Sequence, residues 1–197
     1  MKKLALPIIL IIIAIALYGW LKGFYNEGIE LRNAATKQWG NVESAYQRRA
    51  DLIPNLVETV KGYAAHEKET LEAVIAARAK ATSTTIDPTN VTPEQMVQFQ
   101  EAQQGLSGAL NKLMVVVERY PELKADQHFL ELQSQLEGTE NRINVERDRY
   151  NEEVEPYQNH IQKFPGNLIA GLFKLNPLEF FKSAPGAEVA PEVDFSK

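Results

Sequence analysis

Residues 48–67 read RRADLIPNLVETVKGYAAHE, an apolar helical run with a proline inside it and charged residues on both sides. Proline fixes φ and brings no N–H, so it is tolerated in the first turn of a helix and breaks a helix interior. Asp51 is an N-cap residue type, and it places Pro54 in a first turn, where an N–H would have no partner. The stretch therefore predicts a turn between two long antiparallel helices. On this reading Arg48, Arg49, Asp51, Pro54 and Asn55 sit at the end of a bundle farthest from the N-terminus. They lock register there or, as a second option, present an outer surface to a partner.

Working outward, the residues before this stretch carry one apolar stripe, Phe24, Leu31, Ala35, Trp39, Val42 and Tyr46. Those spacings belong to a helix of about 29 residues. Behind the proline a second stripe, Ile53, Leu56, Val57, Val60, Tyr63, Ala64, Leu71, Val74 and Ile75, fades into KATSTTIDPTNVTPE, a loop by composition. Thr92 ahead of Pro93 and Glu94 is an N-cap with proline at the first helical position. From there Met96, Phe99, Gln103, Leu106, Leu110, Leu113, Val117 and Tyr120 alternate three and four apart, the pattern of helices packed along a nearly parallel, coiled-coil-like seam. A fourth stripe runs through Phe129, Leu132, Leu136, Ile143, Tyr150, Val154, Tyr157 and Ile161, with Pro156 expected to kink or divide it. The fold class is all-α: an N-terminal transmembrane helix continuing into an antiparallel up-and-down bundle of about four long helices.

Residues 4–21, LALPIILIIIAIALYGWL, contain no charge and span about 27 Å as a helix, against a hydrocarbon core of about 30 Å. Insertion is favourable, and Tyr18, Trp20, Phe24 and Tyr25 form an interfacial belt at the far edge. A cleaved signal peptide ending at Ala14-Ile15-Ala16 competes with this reading but leaves the continuing apolar run unexplained. The expected organisation is a single-pass transmembrane signal anchor over residues 1–21, running from Leu4 to Leu21, and a bundle over 22–164. An apolar segment follows at 165–182 and a disordered tail at 183–197. The lysines on the two sides of the anchor nearly balance, and the short basic N-terminus favours a bundle outside the cytoplasm. An even number of helices returns the chain to the bilayer at FPGNLIAGLFKLNPLEFF, which reads equally as an interfacial segment or as a flap over the open end of the bundle.

Chemistry is excluded more readily than assigned. The net charge is −5 with no concentrated basic face, which argues against nucleic acid. There is no cysteine, and His66-Glu67 lacks the second histidine of a zinc-protease helix, its fourth successor being Thr70. His128 and His160 lie on other stretches without paired ligand spacing. Glu152, Glu153 and Glu155 lack the Glu-x-x-His pairs of di-iron bundles. Phosphate loops and nucleophile elbows are absent, so the expectation is no enzyme, no cofactor and no metal. The remaining polar candidates, Glu140, Asn141 and Arg142 together with Arg48, Arg49, Asp51 and Asn55, are expected to pair in a half-buried setting and fix register.

RRADLIPNLVETVKGYAAHE, VVVERYPELKADQHFLELQSQLEGTENRI, ERDRYNEEV and FPGNLIAGLF occur in that order across roughly residues 20–181, and together they resemble the LemA family of bacterial membrane proteins. The resemblance implies an N-terminal membrane helix and a bundle of long helices, and it supplies no catalytic residue. Taken together, the expectation is an inner-membrane protein of the bacterial cell envelope that touches the lipid bilayer and an unidentified envelope protein, with homo-oligomerisation left open. The alternative is a membrane-tethered sensor holding a small ligand between helices near Tyr63, Tyr120 and Tyr150.

Overall fold

The computed structural model describes residues 2–182, the backbone alone up to residue 6; the expected disordered tail lies outside them. Six helices make up the described chain: α1 (Lys2–Tyr63), α2 (Lys68–Ser83), α3 (Pro93–Val117), α4 (Pro121–Lys124), α5 (Gln127–Gln162) and α6 (Gly166–Ile169). No strand occurs among the described residues. The all-α bundle reading holds.

The predicted turn at Asp51 and Pro54 does not exist. α1 runs without interruption through Pro54, which lies inside the helix, and the first reversal falls at residues 64–67. Two stripes read as separate helices are one. Proline at position 54 deprives the Ala50 carbonyl of its helical donor, and the Arg78 side chain of α2 takes that place, Nε donating to the Ala50 oxygen at 2.7 Å. A contact 28 positions away removes the main cost that would have ended the helix. Pro156 likewise lies within an undivided α5.

The other ends follow local chemistry. Thr92 and Gln95 form a reciprocal capping box at the start of α3. The Asp126 carboxylate accepts from the Phe129 N–H at 2.8 Å and caps α5. At the distal end Tyr63 donates to Asp126 at 2.9 Å and Tyr120 to Glu67 at 3.0 Å, pinning the first reversal against the connection between α3 and α5.

Moving the first reversal from residue 51 to residue 64 changes the proportions of the bundle. From residue 22 outward α1 is about 63 Å long and α5 about 54 Å, whereas α2 and α3 reach only about 24 and 37 Å. The short hairpin covers the distal and middle parts of the α1–α5 pair, where Ile53, Leu56, Val60, Val74, Leu106 and Leu113 build one core. The proximal part is covered by Met96 and Phe99 at the start of α3, by Ile86 and Val91 of the loop before it, and by the chain after α5. Of the two readings kept open for that chain, residues 175–182 behave as a flap. Leu175, Leu178 and Phe181 are buried in the proximal core.

Candidate functional site

Reading down α1 by threes and fours, Arg49 occupies the core position between Tyr46 and Ile53 and is 1% exposed. A buried guanidinium needs hydrogen-bond partners, and here both terminal nitrogens have them while Nε is buried without one. Nη1 lies 2.6 Å from Glu140 Oε2 of α5 and 2.9 Å from Ser107 Oγ of α3. Nη2 donates to the Gln103 side-chain oxygen at 2.7 Å and to its carbonyl at 3.3 Å. The Gln103 amide in turn donates to the Ala81 carbonyl of α2 at 3.1 Å. One cation thus ties α1, α3 and α5 together, with α2 reached through Gln103. The Tyr46 ring lies beneath it, 5.3 Å from the guanidinium carbon. Burial pushes the Tyr46 phenol above its usual range, against the opposing pull of Arg147 and Arg49.

A second polar node lies two turns further along α5. Glu146, 1% exposed, accepts from Arg142 Nε at 2.6 Å, from Arg149 at 3.1 Å and from the Gln38 amide of α1 at 2.7 Å. Beyond it Trp39, Phe99, Tyr150 and Phe181 form an aromatic cluster in which Phe181 stacks on Trp39 at 5.3 Å and meets Tyr150 edge-on. Asn151 holds the Phe181 backbone from both sides, accepting its N–H at 2.9 Å and donating to its carbonyl at 2.9 Å. The Tyr150 hydroxyl is buried without a protein partner, and burial, then the charge of Glu179, raises its pKa.

The candidates singled out by sequence are therefore divided. Arg49 and Glu140 meet, 91 positions apart. Arg142 belongs to the Glu146 node instead. Arg48, Asp51, Pro54, Asn55 and Asn141 are exposed, with Asp51 accepting only from Gln47 one turn away. Gln103 was placed on the apolar stripe and Ser107 was missed. Glu146 and Thr139 were missed as well, although they fill the two vacant positions in the stripe that runs Leu136, Ile143, Tyr150. A gap in a helical stripe occupied by a polar residue was the available signal.

Among the described residues no group of three or more His, Cys, Asp and Glu is placed to hold a metal. His66 and His128 are exposed, and His160 stacks on Phe24 with Nε2 2.9 Å from its carbonyl. Tyr63 and Tyr120 are at the distal end and Tyr150 is in the proximal core, so the three tyrosines share no cavity. An open groove of about 550 Å³ lies between α1 and the end of α2, bordered by Glu43, Arg48, Asp51, Thr82 and Phe99.

A long apolar N-terminal helix that continues as the spine of a bundle, with its buried charges consumed in helix pairing, defines a membrane-associated helical protein. The family model described as the LemA family matches residues 38–195, and the chain belongs to that family. It is 25% identical over 201 residues to "Magnetosome protein MamQ 2" of Paramagnetospirillum magneticum, covering 93% of this chain and 74% of that protein. To "Magnetosome protein MamQ" of Magnetospirillum gryphiswaldense it is 23% identical, covering 86% and 70%. To "Protein LemA" of Metamycoplasma hominis it is 24% identical, covering 79% and 65%.

Proposed function

We propose that this chain is a non-enzymatic scaffold of the bacterial cell envelope: a signal-anchored, single-pass protein of the inner membrane whose bundle lies on the extracytoplasmic side and holds a protein partner at a set height above the lipid. The observation that carries this reading is the continuity of α1. One 62-residue helix contains the 18-residue apolar stretch and the buried face of the bundle, with no linker between them. Such a rod transmits position and orientation. The two buried charges, Arg49 and Glu146, are taken up in joining helices, which suits a rigid spacer better than a reaction centre.

Photo-cross-linking in intact cells from exposed apolar positions of α3 and α5, Val115, Leu130 and Val145, tests the role. One recurrent protein adduct is expected, and adducts scattered over abundant neighbours would sink it. Protease added to intact cells and to inverted vesicles tests the side: cleavage of the bundle only in inverted vesicles reverses it. The groove beside Arg48 and Asp51 favours a second reading, a sensor of a small polar ligand. Thermal-shift screening of the full chain in detergent would discard it if no compound moves the transition.

A further inference from the structure

Between α5 and the buried flap, residues 164–172 expose three large apolar side chains at intervals of four: Phe164, 80% exposed, Leu168, 66%, and Leu172, 78%. In water such a cluster is unfavourable, and among the described residues nothing covers it. Its height is set by contacts with α1. His160 stacks on Phe24, ring centroids 4.1 Å apart, and Phe173 packs on Tyr25 at 5.3 Å. Gly166 and Gly28 make this approach close enough. A Cβ on Gly166 would run into the His160 carbonyl and the Phe24 ring, and one on Gly28 would press on Leu175 and His160.

Phe24 and Tyr25 follow directly on the last residues of the apolar N-terminal stretch, about 5–6 Å along the axis from Leu21. The headgroup layer on each side of the hydrocarbon core is about 5–8 Å deep. The exposed cluster therefore lies within that layer when α1 spans the bilayer. Trp20, 45% exposed, and Tyr25, 39% exposed, lie about 7–8 Å apart along α1 on either side of the end of the apolar stretch, and Lys22, Lys163 and Lys174 are exposed, suited to lipid phosphates.

We infer that Phe164, Leu168 and Leu172 form a second membrane contact, a wedge inserted at the headgroup–acyl boundary of the leaflet from which α1 emerges. With α1 it makes a two-point attachment that fixes the tilt of the bundle. The inference rests on α1 spanning the membrane, and its test separates the two.

The chain has no cysteine, so single cysteines can be placed at Leu168 and at Leu172, both exposed enough to tolerate the change, at Ala14 within the apolar stretch and at Val115 on the distal part of α3. Each full-length variant is labelled with an environment-sensitive fluorophore and reconstituted into phosphatidylethanolamine–phosphatidylglycerol vesicles. A quencher is carried on the lipid chains just below the headgroup. The expected result is blue-shifted, lipid-quenched emission from Leu168→Cys and Leu172→Cys, and unquenched emission from Val115→Cys. Emission from positions 168 and 172 that matches position 115, while Ala14→Cys is shielded by lipid, overturns the wedge and leaves the spanning helix intact. Failure of Ala14→Cys to meet lipid overturns both. Blue-shifted emission from 168 and 172 that lipid does not quench, but that is lost as the protein-to-lipid ratio is lowered, assigns the cluster to a second copy and overturns the wedge.

Discussion

Arg78 Nε donates to the Ala50 carbonyl at 2.7 Å, and that oxygen is the one that Pro54, four residues further along α1, leaves without a helical N–H. The pair explains how α1 passes through a proline, and it links the longest helix of the bundle to α2 at its midpoint.

Removing this donor should matter only while the proline is present. Arg78→Ala is expected to cost about 1–2 kcal/mol by orphaning a part-buried carbonyl. In a Pro54→Ala background the new N–H fills the same oxygen, and the cost should fall by about 1 kcal/mol. Pro54→Ala alone is expected to change stability by less than about 1 kcal/mol, the gained hydrogen bond opposing the entropy released to the unfolded chain. Denaturation of the four detergent-solubilised proteins, followed by circular dichroism, measures the cycle. Equal cost of Arg78→Ala in both backgrounds would refute it.

The Arg49 node makes an asymmetric prediction. Glu140→Ala leaves a buried guanidinium without its counter-charge, and because Glu140 is half exposed the expected loss is about 2 kcal/mol. Adding Arg49→Met, which replaces the charge by an apolar chain of similar reach, should recover part of that loss. A double variant less stable than Glu140→Ala by the full cost of a second independent site would show that the two residues are not coupled.

Phe181 should behave as a core residue although it lies 142 positions after the Trp39 it stacks on. Phe181→Ala is expected to cost about 3 kcal/mol. Residues 175–182 should also become the first site of cleavage in limited proteolysis. A loss under about 1 kcal/mol with an unchanged cleavage pattern would mean that the flap contributes little to the proximal core.

Acid should loosen the α5 cap and the turn at Asp87. The Asp126 carboxyl is held below its usual pKa by the Phe129 N–H and then by Tyr63, and Asp87 is held low chiefly by the Thr89 hydroxyl. A carboxylate whose folded pKa is depressed contributes stability that is present above its unfolded pKa and lost as pH falls through the folded one. Melting temperature should therefore be nearly flat near neutrality and fall below about pH 4. Asp126→Ala should lower it at neutral pH and make the acid decline shallower. An unchanged acid slope would show that this cap contributes nothing to it.

Much of the fold was legible because helices advertise themselves locally. The stripe from Met96 to Val117 is buried at every predicted position, and the Thr92 cap was readable from its own neighbourhood. The site was legible only in part. Arg49 stood out as a charge on an apolar stripe, whereas Gln103 and Glu146 followed the same rhythm and were passed over or counted as core. Their partners come from other helices, and pairing across 54 or 108 positions leaves no local trace.

Sequence by itself therefore determined the helical class, the apolar N-terminal stretch, the Thr92 cap and the stripes, since each depends on residues within a few turns of one another. Where the first helix ends was decided by tertiary structure. Pro54 is a stop signal only while the Ala50 oxygen lacks a donor, and Arg78 supplies one from α2. The destination of the C-terminal chain was decided in the same way. An apolar segment of its composition suits lipid and protein equally, and the uncovered length of α1 and α5 draws Leu175, Leu178 and Phe181 inward while Phe164, Leu168 and Leu172 stay exposed.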